Sequence, residues 1–171
     1  MSAISLRNHE SSDAADVFEI NSDPLVQTFL GGVKSHEETK NGFEYVLNNF
    51  HRFKYPLRAI VHNGENKVIG YCAMQPLKGI GFEIYFGLNS KYWGKGYCRQ
   101  AVLLYLEKET LGVEKVFATV DPDNVKSQRL LESTGFEFEK EIFYEPLGKM
   151  HRLYARTWKS PAADAFEPGK R

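Results

Sequence analysis

The sequence predicts an α+β fold: a mixed, mostly antiparallel seven-stranded sheet with helices on both faces. Two features carry that reading. Between Phe82 and Tyr144 the chain twice runs strand, helix, strand, and a crossover of that kind is how parallel strands are joined. A hairpin pattern precedes this stretch at Leu57–Met74 and another closes the chain at Phe136–Trp158; hairpins add antiparallel strands to the same sheet.

Ser5–Arg7 reads as a short first strand, and Ser11 or Ser12 can cap a helix running to Ile20. Asp23-Pro24 restarts a short helix, because proline's fixed φ suits a first turn. Ser35-His36-Glu37-Glu38 has the pattern of a capping box. The helix behind it should bury Phe43, Val46, Leu47 and Phe50, which recur at helical spacing. Leu57–His62 and Lys67–Met74 are β-rich runs joined by Asn63-Gly64-Glu65-Asn66, a hairpin signal. Phe82–Leu88 is the next strand; Tyr97–Leu111 is a helix stopped by Gly112. Lys115–Val120 is a strand, Asn124–Ser133 a helix stopped by Gly135, and Phe136–Tyr144 with Met150–Trp158 the closing hairpin. One domain is expected over residues 1–158, with 159–171 as a disordered tail lacking periodicity.

Composition narrows the function. The 22 basic and 22 acidic side chains cancel, which argues against a protein that lives on bulk attraction to nucleic acid or anionic membrane. Cys72 and Cys98 have neither C-x-x-C spacing nor a histidine cluster nearby, so no metal site and no disulfide scaffold is indicated. The N-terminus lacks an apolar signal core and no run approaches 18 apolar residues, so a soluble cytoplasmic protein is expected.

The chemistry gathers at two strand-to-helix junctions. Trp93-Gly94-Lys95-Gly96-Tyr97-Cys98 precedes one helix, and Asp121-Pro122-Asp123-Asn124-Val125-Lys126-Ser127 precedes the other. Glycines let main-chain amides approach a ligand, and a helix N-terminus offers unpaired N–H groups and positive potential to an anion. Two such junctions in tandem suit a long phosphorylated ligand. Gly94-Lys95-Gly96 lacks the spacing of a nucleoside-triphosphate loop. The turn also comes too late in the chain to open a dinucleotide-binding βαβ unit.

Glu83-Ile84-Tyr85-Phe86-Gly87-Leu88, the Trp-Gly-Lys-Gly-Tyr turn and Asn124-x-x-Ser127-x-Arg129-x-Leu131-Glu132-x-x-Gly135-Phe136 together resemble the Gcn5-related N-acetyltransferases (GNAT superfamily), and within it the RimJ/RimL group that acetylates ribosomal-protein N-termini. The resemblance implies a fold whose fourth and fifth strands splay apart, with acetyl-CoA as cosubstrate in the gap. It implies that the amides of Lys95 through Arg99 cradle the pyrophosphate, with Trp93, Gly94, Gly96, Tyr97 and Cys98 in the same loop. It pairs the backbone of Phe86, Gly87 and Leu88 with the pantetheine arm, one amide there polarising the thioester carbonyl. Asn124, a natural helix cap, would add a hydrogen bond to pantetheine. Ser127 would stabilise the departing thiolate, and Arg129 or Lys126 would meet the cofactor's terminal phosphate. Three positions depart from the pattern: Cys98 stands where Gly or Ala is usual, Leu131 where many members carry an acidic tyrosine, and Ser133 where Lys is common.

A base for the incoming ammonium has two carboxylate candidates, Glu145 at the end of the penultimate strand and Glu83 at the start of the splayed one. An α-amine with a pKa of about 7.7–8.0 is roughly a tenth neutral at pH 7, whereas a lysine amine near 10.4 is neutral only to a few parts in ten thousand. A protein or peptide N-terminus therefore asks least of the base, and the resemblance of the Asn124-x-x-Ser127 pattern to the N-terminal acetyltransferases makes it the foremost acceptor. A small amine (amino acid, polyamine or antibiotic) is the second, with Phe29, Phe43, Tyr45, Phe50, Phe53 and Tyr55 as aromatic lining. A non-catalytic acyl-CoA sensor is the third. Many GNAT proteins form homodimers, but nothing in this sequence marks an interface.

Overall fold

The computed structural model describes residues 2–158, and the expected tail at 159–171 lies outside them. The elements are strand β1 (Ile4–Asn8), helices α1 (Ala14–Ser22), α2 (Pro24–Gln27) and α3 (His36–Asn49), and strands β2 (Arg58–His62), β3 (Lys67–Leu77) and β4 (Gly81–Leu88). Helix α4 (Tyr97–Glu109), strand β5 (Lys115–Val120), helix α5 (Val125–Ser133) and strands β6 (Glu137–Tyr144) and β7 (Lys149–Thr157) follow. All seven strands form one sheet in the order β1-β2-β3-β4-β5-β7-β6. Every neighbouring pair is antiparallel except β4 and β5. No helix among the described residues is long and apolar enough to cross a membrane.

Side-chain alternation sorts the core onto two faces. Ile60, Cys72, Met74, Ile84, Val116 and Ala118 point to one face and pack with Ala101, Val102 and Tyr105 of α4 and Leu131 of α5. Ala59, Val61 and Tyr71 point to the other and pack with Ile20 of α1 and Val26 of α2. At the middle of the sheet β3 and β4 approach so closely that a Cβ on Gly70 would lie 2.4 Å from the Gly87 carbonyl oxygen, and one on Gly87 would lie 2.6 Å from the Tyr71 ring. Neither position has room for a side chain.

Three local expectations are corrected. The first helix begins at Ala14, not at a serine cap: Ser11–Asp13 form a 3-10 turn in which the Asp13 carboxylate accepts from the Glu10 amide and from Arg7. Asp13 wins because its charge pairs with Arg7 at 2.8 Å, which a serine hydroxyl cannot do. On α3, Phe43 is buried, Val46 and Leu47 are half-buried, and Phe50 is exposed in the 3-10 turn that ends the helix. This helix packs mainly against α1, so only a narrow stripe is covered. Helix α4 stops at Glu109, leaving Leu111 86% exposed.

Gly70→Ala is expected to destabilise the fold by about 1–3 kcal/mol, the usual cost of forcing atoms into a filled site. Urea denaturation checks this. At roughly 2–4 °C per kcal/mol for a chain of this size, the midpoint of thermal unfolding should fall by several degrees.

Candidate active site

β4 and β5 share a single bridge, Glu83 opposite Phe117, and then part. Each runs on into a loop and a helix, so both helix N-termini, of α4 and α5, stand at the open end of the resulting V. The amide of Asn89 donates to the Ile69 carbonyl at 2.8 Å, continuing the register of β3 with β4. Alternation along an antiparallel ladder then turns the odd-numbered residues of β4 toward β3. The main-chain groups of Phe86 and Leu88 therefore face the opening, past the last bridge to β5. The Leu88 carbonyl accepts the Trp93 indole N–H at 2.8 Å, while the amides of Phe86 and Leu88 have no strand to meet.

The glycine turn is built by backbone geometry. Gly94 and Gly96 have φ of 76° and 78°, in the left-handed region where a side chain is strained. Gly96 caps α4 and its carbonyl accepts from Gln100, so the amides of Tyr97, Cys98 and Arg99 lack helical partners and point out of the helix end. Trp93 couples the two junctions: its indole holds the end of β4, and its face lies 4.5 Å from the Lys126 ammonium on α5. The Lys95 ammonium sits 5.4 Å over the Tyr92 ring. Arg99 donates to the Ser133 carbonyl at 3.1 Å, tying α4 to the end of α5. Arg129 is exposed on α5. Burial pushes the Cys98 thiol up to about 12, so it is a protonated packing group at neutral pH. Asn124 caps α5 by accepting the Ser127 amide on Oδ1 at 3.2 Å, which leaves its Nδ2 as a donor.

The two candidate carboxylates have different settings. Glu145 is exposed on the turn between β6 and β7, 3.4 Å from Lys78. Glu83 is 3% exposed at the vertex of the V. Its carboxylate accepts from Gln75 Nε2 (2.9 Å), Tyr144 OH (2.9 Å) and Thr119 Oγ1 (2.6 Å), reaching β3, β6 and β5 at once. Tyr144, pushed up to about 12 by burial and by the Glu83 charge, is a neutral donor. Its ring stacks on that of His151, centroids 4.6 Å apart. Of these, Gln75, Thr119 and Tyr144 carry no signal in the sequence, and His151 stands there only as an unassigned residue of the last strand. They converge only because β3, β5, β6 and β7 become neighbours of β4 or of each other, and no spacing within the chain carries that information.

A family model described as an acetyltransferase (GNAT) domain matches residues 4–137. The chain belongs to the GNAT acetyltransferases. Among curated relatives, the uncharacterized protein YkkB of Bacillus subtilis (strain 168) is 26% identical over 168 residues, covering 94% of this chain and 89% of the relative. The uncharacterized N-acetyltransferase YnaD of the same organism is 28% identical over 138 residues, covering 78% and 79%. A solved GNAT-family acetyltransferase of Bacillus anthracis superposes with a TM-score of 0.76 at 26% identity, covering 91% of this chain and 95% of that one. The expected GNAT sheet, parted between its fourth and fifth strands, is thus the fold of this acetyltransferase.

Glu19 on α1 steadies the loop that carries Trp93. Its carboxylate accepts from Lys67 (2.7 Å) and Lys91 (2.5 Å), and these two ammonium groups, Lys67 first, hold it down at about 2 against an ordinary 4.5. A depressed carboxyl contributes stability that is complete above its unfolded value and is lost as pH falls through the folded one. Urea midpoints at pH 7 and pH 3 should therefore differ less for Glu19→Gln than for the parent acetyltransferase.

Proposed function

We propose that this acetyltransferase moves the acetyl group of acetyl-CoA to a primary amine by direct attack, and that the amine is the α-amine of a protein or peptide N-terminus, as in the RimJ/RimL group. The observation that carries the acceptor reading is the single open carboxylate at the vertex. Glu83 spends three of its roughly four lone-pair sites on Gln75, Thr119 and Tyr144, which leaves one for an ammonium. The other buried carboxylate at this end of β5, Asp121, is paired with Lys149. One ammonium is thus matched, whereas a polycationic amine would call for several carboxylates.

The residues divide the work. Orphan amides of Tyr97–Arg99, with those of Lys95 and Gly96, receive the pyrophosphate. The amides of Phe86 and Leu88 and the Asn124 Nδ2 bind the pantetheine arm, and one strand amide polarises the thioester carbonyl where negative charge develops. Acetyl-CoA supplies the thioester, and the Ser127 hydroxyl donates to its sulfur as the C–S bond breaks. Lys126 and Arg129 stand on α5 to meet the terminal phosphate. The N-terminal reading sets this chemistry in the cytoplasm.

A small zwitterionic amine is the second reading. A cavity of about 370 Å³ beside Gln75 and Tyr85 is lined by Phe53, Tyr55, Arg52 and Lys54, side chains that suit an apolar body with a carboxylate.

Thiol release from acetyl-CoA, measured against peptides beginning with Ser or Ala and against amino acids and polyamines, tests the acceptor. Turnover confined to the peptides is expected; turnover confined to the small amines would replace the first reading with the second. Ser127→Ala should lower kcat about 10–100-fold with little change in acetyl-CoA affinity, the worth of one hydrogen bond to a charged group. Glu83→Gln should act mainly by raising the acceptor's KM.

A further inference from the structure

We propose that His151 takes the proton from the incoming ammonium, through one water, while Glu83 holds that ammonium by charge. His151 lies at the start of β7, 3% exposed, and neither ring nitrogen has a hydrogen-bond partner among the described residues. Two unmade hydrogen bonds on a buried imidazole are costly, so the ring calls for a water or a reacting group on its nitrogens. The position gives such a water a reaction to serve. His151 stacks on Tyr144, whose hydroxyl donates to Glu83, so the imidazole and the vertex carboxylate share one intermediate side chain. Alternation along β7 puts His151 on the same face as Leu153, which clusters with Tyr144 and Phe117.

The charged groups around the ring set its behaviour. Burial lowers its pKa below the ordinary 6.5, Asp121 at the end of β5 and Glu83 on β4 oppose that, and Lys149 on β7 adds to it. Tyr144 on β6 is a neutral phenol. The imidazole is therefore neutral at pH 7 and has a lone pair to offer. Once it accepts the proton, Asp121 and Glu83 face the new positive charge. Glu83, with three donors already on its oxygens, is better suited to anchoring an ammonium than to taking its proton.

The step balances as follows. One proton leaves the ammonium for the bridging water, which passes its own to a ring nitrogen of His151. The freed amine lone pair forms the N–C bond at the thioester carbonyl. Collapse restores the C=O and expels the thiolate, the second N–H proton goes to sulfur, and the imidazolium returns its proton to solvent. The products are the amide, CoA thiol and one proton.

This proposal rests on acetyl transfer to an amine and not on which amine is used, so the test is run on an acceptor that the parent enzyme acetylates in the panel above. Two variants are compared with it: His151→Gln, and His151→Phe, which keeps an aromatic stack on Tyr144 but has no lone pair. Both should lose about 10²–10⁴-fold in kcat, the range of general-base help, with unchanged acetyl-CoA affinity and unfolding temperature. The parent's kcat should fall tenfold per pH unit below the His151 pKa, under 6.5, and in both variants that limb should give way to one set by the amine's own pKa, about 7.7–8.0 for an α-amine. An acceptor whose amine is made weakly basic by fluorine, such as a peptide starting with trifluoroalanine, is neutral at pH 7 and should be acetylated almost equally by all three proteins. Full activity of His151→Phe on the ordinary amine, or an equal loss on the fluorinated and ordinary amines, would overturn the proposal. If peptides prove inert and a small amine is the acceptor, the N-terminal reading fails while the His151 comparison is read on that amine and its fluorinated counterpart.

Discussion

Everything at this site depends on the Glu83 carboxylate, which sits where the two parallel strands stop pairing. β4 and β5 are held by one bridge and by the Thr119 hydroxyl donating across to Glu83 at 2.6 Å. Gln75 and Tyr144 bring β3 and β6 to the same group. A buried charge is tolerable only when most of its lone pairs are satisfied, and three neutral donors from three different strands occupy all but one of them here. The carboxylate thus fixes the vertex of the V from inside, and beyond it the main-chain donors of β4 are left facing open space. Buried backbone amides normally find partners; those of Phe86 and Leu88 meet no strand on this side, which is what the proposed pairing with the pantetheine arm would supply.

A second constraint keeps the two helix ends in register with that strand. Trp93 joins the carbonyl of Leu88 to the ammonium of Lys126, so the end of β4, the glycine turn and the start of α5 form one unit. Arg99 closes the far side by capping the last turn of α5. The positively charged side chains of the glycine turn are thus engaged with an aromatic ring or a carbonyl, and the anion-binding potential comes from the amides of α4. That division explains why the turn needs glycines at 94 and 96. The left-handed backbone, not bulk, is what aims the amides outward.

Much of this was legible in the chain. Glycine spacing announces a positive-φ turn before a helix, and Asn124 three residues before Ser127 announces a cap whose accepted amide is indeed that of Ser127. Both are local geometries set by a few consecutive residues. The boundary errors have equally local causes. Asp13 outcompeted the serines because a charged partner, Arg7, reaches it from β1, and α3 hid less than its apolar spacing promised because it rests mainly on α1.

The sequence by itself determined the order of strands and helices, the crossover pair and the two capped helix starts, because periodicity and capping act over one or two turns of chain. Only the tertiary structure decided which carboxylate occupies the vertex and what surrounds it. Glu83 and Glu145 are equally acidic in the sequence, yet one is enclosed by Gln75, Thr119 and Tyr144 while the other meets Lys78 in solvent. His151 likewise acquires its character from Tyr144, Asp121 and burial. Those neighbours lie up to 76 residues apart along the chain, from Gln75 to His151 (151 − 75), and only the strand order of the folded sheet brings them within reach of one another.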